Sequence, residues 1–134
     1  MACTLRGCMF FGATLEGCKL TGSVLERCTL RPMTVRGGQW RGVALVGAGL
    51  GGLDLSGLDL READLSEADL TRAGLRGADL RGAVVRGARL GEADLRGARL
   101  EGSDLGRAVL RGTRLDLAGA VLLAEQSGAL VEPG

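Results

Sequence analysis

Between residues 54 and 69 the chain carries Asp54, Asp59, Glu62, Asp64, Glu67 and Asp69 against a single base, Arg61. Paired carboxylates are the raw material of acid–base catalysis, and the cysteines Cys3, Cys8, Cys18 and Cys28 could supply thiolate or metal chemistry. The rest of the composition argues against both. The sequence has no His and no Tyr, so no Ser, Thr or Cys has an activating imidazole or phenol. The cysteines form no CxxC pair, and with no His at hand a metal site is not expected. No catalytic, cofactor-binding or metal-binding residue is assigned, and the protein reads as a non-enzyme.

The acids have a regular spacing, which the elements beneath them must explain. A large apolar residue falls on every multiple of five from Leu5 to Leu115, which makes 23 units. Nineteen of these centres are Leu, and the others are Phe10, Val35, Trp40 and Val85. Two residues before the centre, Ala occurs eleven times and Cys four times; two residues after it, Gly occurs 15 times. Neither regular element accommodates this period. In a helix five residues advance about 500°, so the leucines would wander round the cylinder. In a straight strand an odd period sends alternate leucines to opposite faces.

A short extended piece followed by a bend satisfies both constraints. The small residue and the leucine, two apart, point the same way, and the bend returns the next pair to the interior. Glycine near the bend provides backbone angles that side chains disfavour. The chain must therefore coil about an axis, with leucines and small residues inside and neighbouring coils paired through the backbone. Aromatic residues make up only 2% of the chain, so the interior is thin and aliphatic.

"EADLSEADL", "RGADLRGAVV" and "GEADLRGARL" resemble the A-(D/N)-L-x-x units of the pentapeptide repeat family. The resemblance implies an all-β fold, a right-handed quadrilateral β-helix with four units, or twenty residues, per coil. On that geometry 23 units give nearly six coils and, at about 4.8 Å per coil, a rod roughly 27 Å long. Residues twenty apart then stack. Trp40 has Gly38 beside it and Leu58 one coil on, which balances large against small. Cys8 and Cys28 become stacked thiols in the place of Ala rather than a disulfide. Arg41, Arg61 and Arg81 form a column with Asp59 and Asp79 close by. The family also implies a local role for the Asp before each centre, in hydrogen bonds at the corner.

The phase fails after Leu115. "RLDLAGAVLLAEQSGALVEPG" reads as a short helix from Asp116 or Ala118 to Gln126, stopped at Gly128. Residues 1–117 are thus expected to form the β-helix and 118–134 a helical cap and tail. Leu122, Leu123, Leu130 and Val131 exceed what a thin cap needs and suggest a homodimer through the C-terminal end. Repeats begin at Cys3 with no cap before them, so the chain is expected to be trimmed from a longer parent. Pro32, in "LRPMTV", removes a ladder donor and predicts a local break or bend.

The chain has no apolar run of the roughly 18–20 residues that a membrane span needs, and no signal-peptide pattern, and it reads as cytoplasmic. Its net charge of +1 hides a gradient. Residues 1–50 carry six basic and two acidic residues, 54–69 form the acidic belt, and 72–114 carry ten arginines and five acids. Within the family, "CTLRPMTV" (28–35), "GGLDLSGLDL" (51–60) and the tail "RLDLAGAVLLAEQSG" (114–128) are similar to the mycobacterial fluoroquinolone-resistance branch. That branch implies a dimer that resembles duplex DNA, binds DNA gyrase where DNA would lie, and protects it from quinolone-type poisons. On this reading the belt Asp54, Asp59, Glu62, Asp64, Glu67 and Asp69 is the contact, with carboxylates at a regular spacing standing in for a row of phosphates. The alternatives are a generic protein-interaction scaffold, whose charges mostly neutralise one another, and a weak nucleic-acid contact through the arginines.

Overall fold

The computed structural model describes the backbone of four short strands and the chain continuously from residue 38 to residue 132. The strands are β1 (Thr4–Arg6), β2 (Ala13–Glu16), β3 (Val24–Glu26) and β4 (Met33–Arg36). β1 pairs with β3 and β2 with β4, both parallel, and every partner lies twenty residues on, as in Leu5↔Leu25 and Leu15↔Val35. Val24↔Ala44 joins these strands to the rest of the stack, and single parallel bridges at the same stride follow, from Gln39↔Asp59 to Asp94↔Arg114. Bridges recur every five residues, so each coil has four sides. Beyond residue 38 each side is so short that it makes one bridge instead of a strand, because turns take up the rest of the unit. Cys3, Cys8, Cys18, Cys28 and Pro32 lie outside the described residues; the register on either side of Pro32 stays at twenty (Ala13↔Met33, Val24↔Ala44).

The buried apolar side chains between residues 40 and 105 occupy only the centre and the small position before it, from Trp40 and Val43 to Leu100 and Leu105. Trp40 and Leu58 are both fully buried. The indole Nε1 of Trp40 and the hydroxyl of Ser103 are enclosed without a hydrogen-bond partner.

From Trp40 to Leu105 each corner is a turn closed by a bond from the next small residue to the centre carbonyl, as in Ala63 N–H to Leu60 at 3.0 Å. The residue two after the centre has positive φ, as at the third position of a type II turn. Glycine usually stands there, but Glu62, Glu67, Arg72 and Glu92 adopt φ near +60° as well. At Arg107 the scheme yields: Leu105–Arg107 form a 3-10 turn, and the Val84 to Asp104 bridge is missing from the ladder. Gly106 precedes Arg107 as Gly91 precedes Glu92, and Glu92 keeps the regular corner, so the place of the glycine does not account for the change.

Helix α1 (Leu117–Gln126) closes the end, with Asp116 as its N-cap and Gly128 in the left-handed region after it. Among the described residues, no helix is long and apolar enough to cross a membrane.

The two constraints on each unit are separable by substitution. Gly77 has φ +70° and open space where a Cβ would stand, so Gly77→Ala should cost only about 1 kcal/mol, the backbone penalty alone. Leu75→Ala, emptying a fully buried centre, should cost about 2–5 kcal/mol. Urea denaturation measures both, and equal losses would contradict this division.

Candidate interaction surface

Three residues of each unit face outward: the one before the centre and the two after it. Backbone bonding explains what stands there. In the unit centred on Leu65, Asp64 N–H bonds to Val43 in the coil above, and Leu65 N–H and Glu67 N–H bond to Val84 and Arg86 in the coil below. Ala63 N–H closes the turn. Only the N–H just after the centre is left over, and the preceding aspartate takes it: Ser66 N–H donates to Asp64 Oδ1 at 3.0 Å. The same bond recurs at Asp54, Asp59, Asp69, Asp79 and Asp94. The corner role implied for these aspartates is therefore the completion of the backbone's hydrogen bonding.

Three of these carboxylates, Asp59, Asp79 and Asp94, also hold an arginine two residues on. Arg61 grips Asp59 through Nε and a terminal nitrogen at 3.0 and 2.9 Å. Arg81 on Asp79 and Arg96 on Asp94 repeat the arrangement. In the expected column, Arg61 also approaches Asp79 at 3.9 Å and Arg41 reaches Glu62 at 3.4 Å. The arginine hydrogen bonds hold Asp59, Asp79 and Asp94 below the usual carboxylate range. Ser56 lowers Asp54, and the N–H groups of Gly119 and Gly97 lower Asp116. The signal for the ion pairs was in the sequence as the tripeptide D-L-R, since residues either side of an inward leucine both point out.

The belt is a ring rather than a row. Asp54, Asp59, Asp64 and Asp69 fall on four successive sides of one coil, with Glu62 and Glu67 at the turns between. Along the axis their partners are Gly74, Asp79, Val84 and Arg89, so only Asp59 continues into a second carboxylate. A five-residue spacing in a twenty-residue coil puts charge around the rod, whereas a phosphate-like row needs charge every twenty residues.

The apolar residues of the tail divide. Leu122 and Leu123 pack against the last coil, while Leu130 is 88% and Val131 44% exposed. Leu117, which the sequence reading did not single out, is 82% exposed and borders a shallow cleft of about 610 Å³ with Leu100, Val121 and Leu122. Two polar side chains do the capping. Gln126 accepts from Leu105 N–H at 3.1 Å and donates to the Ser103 carbonyl, the two groups that a further coil's backbone amide would serve. Asp116 takes Gly97 N–H at 2.7 Å and Gly119 N–H at 2.8 Å, ending the ladder and starting the helix at once.

The comparisons agree with this geometry. Residues 3–31, 48–87, 73–112 and 88–122 match pentapeptide repeats, in eight copies. The chain belongs to the pentapeptide repeat family. Its members adopt right-handed quadrilateral β-helices and are generally non-catalytic structural or interaction proteins. Among solved structures, the pentapeptide repeat protein Rfr23 of the cyanobacterium Cyanothece 51142 is 25% identical, covers 85% of this chain and 88% of its own, and superposes with a TM-score of 0.72. A thylakoid-lumen pentapeptide repeat protein of Arabidopsis thaliana is 30% identical over 85% of this chain and 76% of its own, with a TM-score of 0.31. QnrB1, a plasmid-mediated fluoroquinolone resistance protein, is 18% identical over 99% of this chain and 100% of its own, with a TM-score of 0.37. No curated protein sequence matches the chain.

An aspartate with a depressed folded-state pKa stabilises the fold fully above its unfolded value, near 3.8, and loses that contribution as pH falls through the folded value. With no His in the chain, the melting temperature should be flat between about pH 5 and 8 and fall below pH 4. A steep change near neutrality would contradict this assignment. Gln126→Ala removes two hydrogen bonds from the last coil and leaves Leu105 N–H only its bond to the Ser103 carbonyl at 3.1 Å, and should cost about 0.5–1.5 kcal/mol in urea denaturation; an unchanged midpoint would remove Gln126 from the cap.

Proposed function

We propose that the protein is a non-enzymatic rod that binds DNA gyrase, or a related type II topoisomerase, by imitating the shape and charge of duplex DNA, and so protects it from quinolone-type inhibitors. The observation that carries this reading is the acidic ring, six carboxylates and one arginine between residues 54 and 69, which offers a basic saddle a collar of negative charge in place of a lengthwise row of phosphates. It is mounted on a backbone in which each coil is bonded to the next. A basic DNA-binding saddle selects stiff negative charge. The resemblance of residues 28–35 and 114–128 to the fluoroquinolone-resistance branch points to the same partner. On this reading residues 1–117 form the rod and 118–134 its cap. The protein acts in the cytoplasm, and two copies join at their C-terminal ends through Leu117, Leu130 and Val131, while Leu122 and Leu123 support the helix beneath them.

A second reading, an interaction scaffold for a different protein, is favoured by the side bearing Asp59, Arg61, Asp79 and Arg81, whose charges neutralise one another. A gyrase supercoiling assay with and without a quinolone separates the two. The first reading expects inhibition or protection at micromolar protein. The effect should disappear when Asp54, Asp59, Asp64 and Asp69 become Asn and Glu62 and Glu67 become Gln, because asparagine keeps the corner acceptor and removes only charge. A wild-type protein that leaves gyrase unaffected would leave the scaffold reading.

A further inference from the structure

Below the acidic ring, one side of the rod has the opposite character. A shallow cleft of about 630 Å³ crosses three coils and is lined by Thr71, Arg72, Arg89, Glu92, Val109 and Arg111, with Gly91 and Gly112 leaving its floor bare. Arg72 and Glu92 bind each other at 2.7 Å. Arg89 and Arg111 enter no ion pair among the described residues. Arg89 is stacked between Asp69 above and Val109 below, so the free positive charge begins where the ring ends. Val109 is 54% exposed beside these arginines.

The coil that bounds this cleft is also an open edge. In the preceding coil Leu90 N–H and Glu92 N–H donate to Val109 and Arg111. Their successors one coil on, Leu110 N–H and Gly112 N–H, have no backbone acceptor among the described residues. Two unserved donors of an edge, two unpaired guanidinium groups and an exposed valine thus lie together.

We propose that this corner binds an extended acidic peptide segment of a partner protein, which pairs with the Leu110–Gly112 edge, sets carboxylates on Arg89 and Arg111, and covers Val109 with an aliphatic side chain. Edge pairing provides affinity through the main chain, and the arginines select the sequence. A nucleic-acid strand fits less well, because the cleft offers no aromatic side chain for bases to stack on and presents an aliphatic one instead.

The test is fluorescence anisotropy of the full chain with a labelled octapeptide, Glu-Glu-Asp-Leu-Glu-Glu-Asp-Glu. Saturable binding is expected, weakened at least tenfold by Arg89→Ala with Arg111→Ala. Arg86→Ala with Arg99→Ala, an equal loss of charge on other sides of the rod, should change it less than twofold. Amide shifts in the unsubstituted protein should map to residues 89–92 and 109–112. Absence of binding, equal weakening by the two pairs, shifts elsewhere, or tighter binding of a 12-base-pair duplex would each overturn the proposal.

Discussion

The structure depends on one constraint, the supply of a partner for every backbone N–H in a unit of five residues. Beyond residue 38, two inward side chains and a tight corner leave each side of a coil a single bridge. Four of the five N–H groups find carbonyls, one across the corner and three in neighbouring coils. The fifth is met by a side chain wherever aspartate precedes the centre. Leucine and alanine then fill a narrow interior with little aromatic mass, and the positive-φ turn residue makes each bend possible. The same economy governs the C-terminal end, where Gln126 and Asp116 offer side-chain atoms in place of a further coil.

This accounting reshapes the view of the surface. Acids that look like a functional belt in the sequence are first of all parts of the corner, and several are already held by arginines. What distinguishes the ring is the scarcity of arginine there, since Asp54 and Asp64 have serines at their corners, in contrast to Asp79 and Asp94. Lower down, arginines outnumber their partners. Between residues 54 and 114 the rod therefore presents an acidic tier above a basic one on a common frame.

Much of this was legible in the sequence, because the repeat writes a three-dimensional rule into a one-dimensional period. The leucine stride placed the core, and the glycines marked the corners. Asp116 and Gly128 bounded a helix that begins at Leu117. Other features were hidden because they arise from stacking. The ring from Asp54 to Asp69 was an exception, since it follows from the four units per coil that the family resemblance implied, and the expectation of a row overlooked it. Nothing local shows that Gln126 serves Leu105, which lies far back in the chain. The 3-10 corner at Leu105–Arg107 has no counterpart in the sequence, since Leu90, Gly91 and Glu92 stand in the same order and keep the regular corner. Glu62, Glu67, Arg72 and Glu92 show that the fold can impose positive φ on residues that local preference would keep out of it.

Residue-resolved amide hydrogen exchange tests the central claim most directly. Protection should recur with a period of five. Just after the centre, the N–H should exchange slowly at Ser66, Thr71 and Arg81, where an aspartate accepts it. It should exchange fast at Arg86 and Gly91, where Val84 and Arg89 offer no acceptor. Equal rates in the two groups, or protection with a helical period, would contradict the account.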